Sequence, residues 1–456
     1  LRAEAMMYPC GEGGAPVFGS TEKVHPEKAI MANCAATREW DSNGTNFGYN
    51  PKLGHVAGEF GHPDFFPVSV AAAQITGRDG AFALKCMTLL EEIRCRLGEV
   101  YSLKSYKIDH VVHGAIASAC VYGAALGATP KQIESAVGMV VAHYVPFRAI
   151  RAGKQLSDSK GSSSGISTEV AILSVRRAMA GFVGPADIFR NPEAIFRLFE
   201  GPGQMLAKVG AGEPNLSPDY ASPFDLHLGF QGDDFAVLGE HFKLGLYEHQ
   251  SAGAMQGLLN LLDSHGDTLS AGIDKIQITA YEPAFGIIGD PAKKDPKTRQ
   301  SADHSMAYII ATALRKALQT GGRGWKQLML SPYDYSAEAL HDPLTRELMA
   351  KIDFAHGGPE YDAKYPDGIP TSLCVTASNG DKLDSGLIMY PAGHARNVEA
   401  DLEDILAHKF EMLSSLAFEG AEVQAAMAKF EALEGKSAAE VAAMYDFSIA
   451  FRDDFS

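Results

Sequence analysis

The sequence predicts a mostly α fold: a large helical domain formed by both ends of the chain, with a smaller α+β domain inserted between them. Three observations lead there. Residues 66–98 and 111–127 are dense in Ala, Leu and Val at helical spacing, and that much Ala and Gly suits closely packed helices. Near residue 268 the pattern changes, because DKIQITAYEPA alternates like a strand and TSLCVTASNGDKLDSGLIMYP does the same. From about 397 to 455 the helical pattern returns. The expected division is 1–268 for the first part of the helical domain, 269–395 for a lid-like α+β domain and 396–456 for the closing helices.

In chain order, HPEKAIMANCAATRE reads as the first helix. A polar, glycine-rich stretch, WDSNGTNFGYNPKLGHVAGEFGHPD, separates it from the apolar run FFPVSVAAAQITG. Gly127-Ala-Thr-Pro-Lys-Gln-Ile-Glu is a helix stop followed by a start, with Thr129 as N-cap, Pro130 in the first turn and a helix running to about 144. Residues 167–181 and 248–264 follow as helices, and 302–319 forms an amphipathic helix within the insert. Asn379-Gly380 predicts a type I′ hairpin turn.

Bulk properties exclude several classes of function. The 456 residues suffice for two or three lobes, and a composition of 46% hydrophobic and 21% charged residues is that of an ordinary globular protein. A net charge of −16 argues against nucleic acid as a partner, since phosphate binding needs clustered Lys and Arg. It also means that cations serving an anionic ligand must be gathered locally. No apolar run approaches the roughly 18 residues that span a bilayer, and LRAEAMMYPC has no apolar signal-peptide core. The chain does not begin with Met, so some native N-terminal residues are expected to be missing. Cys10, Cys34, Cys86, Cys95, Cys120 and Cys374 form no C-x-x-C pair and are expected to be buried free thiols in a reducing compartment.

The usual cofactor motifs are missing: there is no phosphate-binding P-loop, no dinucleotide fingerprint, no H-E-x-x-H and no cysteine set fit for an iron–sulfur cluster. Redox, ATP-dependent and iron–sulfur chemistry are therefore not expected. His110 and His113 in KIDHVVHGA share a helix face, but a metal would need a third ligand. His110 suits either acid–base or substrate-binding work or a structural place in the helix. In FRAIRAGKQLSDSKGSSSG, Arg148, Arg151 and Lys160 lie among small residues, a pattern suited either to a polyanionic ligand or to a solvated basic loop. Lys243 and His249 lie in FKLGLYEHQS, and His304 and Tyr308 in SADHSMAY are four apart and so on one helix face. Asp41 and Thr45, with His55 and His62 further on, supply the Asp and His stock of proton transfer near pH 7.

Together these segments resemble the MmgE/PrpD family, which includes 2-methylcitrate dehydratases, cis-aconitate decarboxylases and iminodisuccinate epimerases. The resemblance runs from about 25 to 450 through WDSNGT, GHPD, DHVVHGAIAS, ALGATPKQIESAVG, FRAIRAGKQLSDSKGSSSG, FKLGLYEHQSA, ADHSMAYIIATAL and MYPAGHARN. It implies the same layout of helical and lid domains, a homodimer, no cofactor, and location in the cytoplasm or, in a eukaryote, the mitochondrial matrix. It also implies Asp41, His62, His110 and Lys160 as catalytic, and Thr45, Arg148, Arg151, Lys243, His304 and Tyr308 as substrate-binding. The spacing of Arg148, Arg151 and Lys160 resembles the methylcitrate dehydratases and favours a substrate with several carboxylates. Two departures stand out: Gly44 replaces a carboxylate of the family's pattern, and extra residues separate Thr45 from His62.

The expected activity is cofactor-independent elimination of water from a β-hydroxy tricarboxylate by abstraction of the proton α to a carboxylate. The alternatives are epimerisation, isomerisation or decarboxylation of a related di- or tricarboxylate, or carboxylate binding without catalysis. Nucleic acid and membrane are not expected partners.

Overall fold

The computed structural model describes residues 1–100, 102–103, 107–151, 156–189 and 226–450. Residues 190–225 of the expected first domain and 451–455 of the expected closing helix lie outside them.

The fold is mostly helical. Its longer helices in the first half are α1 (Pro26–Arg38), α2 (Phe66–Thr76), α3 (Gly80–Val100), α4 (Val111–Ala125), α5 (Pro130–His143) and α6 (Ser163–Met179). The apolar segment 66–98, expected to be helical, forms α2 and α3, which are separated where Gly77 turns left-handed at φ +62° and closes α2. α5 begins as expected: Thr129 and Gln132 form a reciprocal capping box and Pro130 follows. α1 packs on α6 at a close approach where a side-chain carbon on Gly165 would lie 2.4 Å from the Met31 carbonyl. Ser164 Oγ bonds to the Cys34 carbonyl in the same seam. The Ser/Gly run after Lys160 thus serves helix packing. These helices enclose one apolar cluster, running from Ala5 to Ile188.

A second apolar cluster holds Phe47, Phe60 and residues from Leu244 to Ile405. Its sheet comprises β5 (Ile273–Ala280), β6 (Ile352–His356), β7 (Thr371–Ala377) and β8 (Lys382–Asp384), in the order β6-β5-β7-β8. β5 is parallel to β6 and antiparallel to β7, which pairs antiparallel with β8. β7 buries every second residue, Thr371, Leu373, Val375 and Ala377, as a strand with one covered face must. α7 (Ala252–Ala271) covers that face, with Gly253 against Thr371 and Gly257 against Leu373. Helix α7 therefore shares its core with the sheet. α8 (Met306–Thr320) lies in the same cluster.

The β7–β8 hairpin forms at the expected place, but its turn is not type I′. That turn needs positive φ at both central residues, and only Gly380 has it, at +90°. The Gly380 amide bonds back to the Ala377 carbonyl, as in a type I turn closed by a left-handed glycine.

The chain then forms α9 (Leu402–Ser414) and α10 (Ala421–Phe430). Val441, Met444 and Tyr445 return to pack against Val70, Ala73 and Ala83 of the first helices. Two short ribbons complete the strands: β1 (Ala15–Pro16) with β2 (Lys23–Val24), and β3 (Gly44–Thr45) with β4 (His241–Phe242). The second ribbon pairs Gly44 with Phe242 and Thr45 with His241, far apart in sequence, and sets up the candidate site. The six cysteines are all unpaired, with Cys34, Cys86 and Cys95 buried. Among the described residues no helix is long and apolar enough to cross a membrane.

Candidate active site

Arg38 closes α1, and the Asp41 amide donates back to the Arg38 carbonyl at 2.8 Å. That turn leaves Asp41 at φ +49°, a left-handed conformation that Asp adopts more readily than most residues but still at a cost of about 1 kcal/mol. Its fully buried carboxylate becomes the centre of a charge cluster. Oδ1 accepts from Arg38 Nη1 at 2.5 Å and from Lys243 Nζ. Oδ2 faces His304 Nε2 at 3.4 Å and Lys160 Nζ at 3.9 Å. Burial would push the Asp41 carboxyl up, but Arg38 and Lys243 overcome it and hold the group well below the ordinary carboxylate range.

Lys243 follows β4, and its amide donates to the Asn43 carbonyl, so the β3–β4 ribbon delivers Asp41 and Lys243 to the same point. The ribbon also accounts for Gly44. A side-chain carbon there would lie 2.6 Å from the His241 carbonyl, so this backbone has no room for the family's carboxylate. The extra residues after Thr45 form a folded excursion. Asn46 and Gly61 exchange backbone hydrogen bonds at 2.9 and 3.1 Å, which closes its base. Phe47 and Phe60 are buried in the second core, and Tyr365 donates to the Gly58 carbonyl.

His62 emerges at that base. Its Nδ1 lies 2.8 Å from the Gly44 carbonyl. A carbonyl only accepts, so Nδ1 carries the proton and Nε2 presents its lone pair. Burial and the charges of Arg38 and Lys243 hold this imidazole neutral, far below its usual range. The Thr45 hydroxyl donates to the Gly61 carbonyl at 3.0 Å, next to His62. The His110 ring packs edge-on to His62 with centroids 5.0 Å apart. His110 stands at the N-terminus of α4, neutral through burial and through Arg151, Arg38 and Arg148, against the opposing pull of Asp109.

Lys160, buried in the turn Asp158–Gly161, donates to both oxygens of Asp303 at 2.7 and 2.8 Å. Burial lowers the pKa of its ammonium, opposed by Asp303 and Asp41. His304 Nδ1 donates to Asp303 at 2.7 Å, and burial together with Lys160 brings the imidazole pKa down to about 3.

Three expected residues are placed differently from the rest. Tyr308 is not beside His304. Helix α8 starts only at Met306, with Ser305 as N-cap, so His304 lies outside the helix and the four-residue spacing does not align the two side chains. The Tyr308 hydroxyl instead donates to the Asp334 carbonyl at 2.6 Å inside the second core. Arg148 and Arg151 share a 3-10 turn but not a task. Arg151 is held by Asp109 at 2.5 and 3.2 Å and by Ser163 at 2.9 Å. Arg148 rests over the Phe60 ring, and its buried Nη1 has no hydrogen-bond partner.

Several site residues had not been singled out from the sequence: Arg38, Asp109, Asp303, Glu248 and Lys293. Two carried a signal, because Asp109-His110 and Asp303-His304 are both Asp-His dipeptides, each pairing an imidazole with a carboxylate. Glu248, raised to about 7 by burial, is near enough to feel Lys243, Asp41 and Lys293. Lys293 in turn feels Arg148 and Lys160. His249, buried with neither ring nitrogen hydrogen-bonded, is near enough to feel Lys243 and Asp41.

Among the described residues, one group has metal-ligand spacing: Glu91, Cys95 and Glu240, with ligand atoms within 4.8 Å of one another. Arg94 already bonds Glu91 and, at 3.2 Å, Glu240. Burial lifts Glu240 to about 8 and Cys95 well above its usual value, so this group offers protons and a guanidinium rather than a set of anionic ligands.

A buried carboxylate ringed by cations, with two neutral imidazoles beside it, is found here on a fold of two cores. Residues 2–206 match the MmgE/PrpD N-terminal domain and residues 247–433 the MmgE/PrpD C-terminal domain. The chain belongs to the MmgE/PrpD family. Among its relatives, the 2-methylcitrate dehydratase of Cupriavidus necator is 25% identical over 431 residues, which is 91% of this chain and 80% of that one. The 2-methylcitrate dehydratase of Salmonella typhi is 23% identical over 415 residues, 88% of this chain and 77% of that one. A probable 2-methylcitrate dehydratase of Saccharomyces cerevisiae is 23% identical over 420 residues, 87% of this chain and 73% of its own length.

Proposed function

We propose that the protein is a cofactor-independent hydro-lyase that eliminates water from a β-hydroxy tricarboxylate such as 2-methylcitrate. The observation that carries this reading is His62: a buried, neutral imidazole whose Nδ1–H is committed to the Gly44 carbonyl, which leaves Nε2 free to accept, and which feels the charges of Arg38 and Lys243. A base in such a place removes a proton α to a carboxylate while the surrounding positive charge stabilises the enolate-like transition state. The names of the relatives support the same chemistry.

His62 is the base in this reading. Lys160, an ammonium with a lowered pKa flanked by Asp303 and Asp41, protonates the departing hydroxyl. Arg148, with its unpartnered Nη1, takes a substrate carboxylate. Asp41 stays ionised throughout and holds Arg38, Lys243, Lys160 and His304 in array. Thr45 and Arg151 position His62 and His110 through Gly61 and Asp109. In the same reading residues 269–395 act as a lid and the protein works as a homodimer.

The reading is tested by assaying the purified protein on 2-methylcitrate, citrate, cis-aconitate and iminodisuccinate with EDTA present. Turnover of 2-methylcitrate or citrate in EDTA is expected. Turnover of cis-aconitate or iminodisuccinate alone would replace the dehydratase by a decarboxylase or epimerase, and loss of all activity on adding EDTA would overturn the cofactor-free mechanism.

A further inference from the structure

Helix α9 packs Leu402, Leu406, Met412 and Leu413 partly against the second core, and only Ile405 and Lys409 on it are buried. Lys409 is 4% exposed, yet its partners are backbone carbonyls rather than carboxylates. Its Nζ contacts the carbonyl of Ser42 and lies 2.7 Å from the carbonyl of Lys243. Either the ammonium or the neutral amine has N–H donors enough for both carbonyls. Burial, reinforced by the charge of Lys243, draws the group down to about 7.

The two carbonyls matter because of where they are. The β3–β4 ribbon pairs Gly44 with Phe242 and Thr45 with His241, and the Lys243 amide bonds to the Asn43 carbonyl at 2.8 Å. Ser42 and Lys243 stand at the end of that ribbon, one residue past Asp41 on one side and at the pairing lysine itself on the other. Just there, Asp41 holds a left-handed backbone at φ +49°. Neither strand has more than two residues, too few for the ribbon to hold its end unaided.

We propose that Lys409 is a positioning residue: by bonding the carbonyls of Ser42 and Lys243, it clamps together the two backbone segments that bring Asp41 and Lys243 into contact. A helix far along the chain thus sets the geometry at the centre of the charge cluster. The catalytic half of this inference rests on the proposed function, whereas the clamp itself does not.

The test compares the full-length protein with Lys409→Met, which has no donor, and Lys409→Gln, which keeps two N–H donors without charge. Hydrogen exchange is followed by mass spectrometry in peptides spanning the Asp41–Thr45 and His241–Leu244 segments, and kcat and KM are measured in parallel. In Lys409→Met, exchange in both segments should quicken by about tenfold or more, local opening being what the clamp suppresses. Its kcat should fall about tenfold with KM within about threefold, the mark of lost alignment rather than lost substrate contact. Lys409→Gln should recover part of both, and if Lys409→Met does not fold, Lys409→Gln against wild type decides. Unchanged exchange would overturn the clamp. Faster exchange with unchanged kcat would overturn the positioning role. A wild-type protein that turns over no carboxylate would remove the proposed function, and exchange alone would then decide the clamp.

Discussion

Asp41 draws together side chains from four separated stretches of chain, and its environment decides what it does. With Arg38 and Lys243 on one oxygen, it stays ionised and serves as an anchor for cations. Removing one partner of a buried pair costs about 3–5 kcal/mol, so Asp41→Asn is expected to lose about that much stability in urea titrations. Because the folded pKa of Asp41 is depressed, its contribution is present above the ordinary carboxylate range and disappears only in strong acid. The arginine pair separates cleanly at this scale. Arg148→Met should raise KM roughly ten- to a hundredfold, the worth of about 1.5–3 kcal/mol for a charge-assisted contact. Arg151→Met should chiefly lower the urea midpoint, because it leaves the buried Asp109 without its guanidinium. A Lys160 side chain with nearly unchanged turnover on truncation would contradict its assignment as acid.

At the scale of elements, the β3–β4 ribbon and the excursion between Asn46 and Gly61 are the features that the site depends on. Gly44→Ala should destabilise the protein by about 1–3 kcal/mol through overpacking, since the added carbon meets the His241 carbonyl at 2.6 Å. Phe47→Ala should cost about 3–5 kcal/mol in urea, because that ring, 2% exposed, ties the excursion to the second core. Chemical denaturation checks both. The helices were legible in the sequence wherever a local signal existed: Thr129, Pro130 and Gln132 announce α5, and the alternation of residues 371–377 announces β7. The ribbon was not legible. Two-residue strands have no periodicity, and their partner lies about 200 residues away. Tyr308 shows the opposite failure, a sound helical spacing applied across a helix start that Ser305 places two residues too late.

For the whole molecule, the net charge of −16 and the gathering of Arg38, Arg148, Arg151, Lys160 and Lys243 at one place belong together. The cations are local, as an anionic ligand requires of an acidic protein. Most were found from sequence because they sit in recognisable family segments, whereas Arg38 and Lys409 were not, their roles existing only in the folded geometry. Burial also shapes the response to pH. His62, His110, His113, His241, His249, His304 and His394 are all held below their usual range, with His113 and His304 near 3 and His394 near 4. The unfolded chain binds those protons below about pH 6.5 and the folded chain resists them, so stability should fall on acidification. Glu91, Glu99, Glu240 and Glu248 are raised and act in the opposite sense over part of that window, but they are fewer. The urea midpoint is therefore expected to drop between about pH 6.5 and pH 4.5.

In the proposed function the neutral His62 is the base of a carboxylate elimination. It is tested most directly by the steady-state dehydration of 2-methylcitrate by wild type and His62→Asn, whose side-chain amide keeps a donor for the Gly44 carbonyl. The expected result is a fall in kcat of about 10²–10⁴ with KM within about threefold. A His62→Asn enzyme whose kcat stays within about threefold of wild type would contradict it.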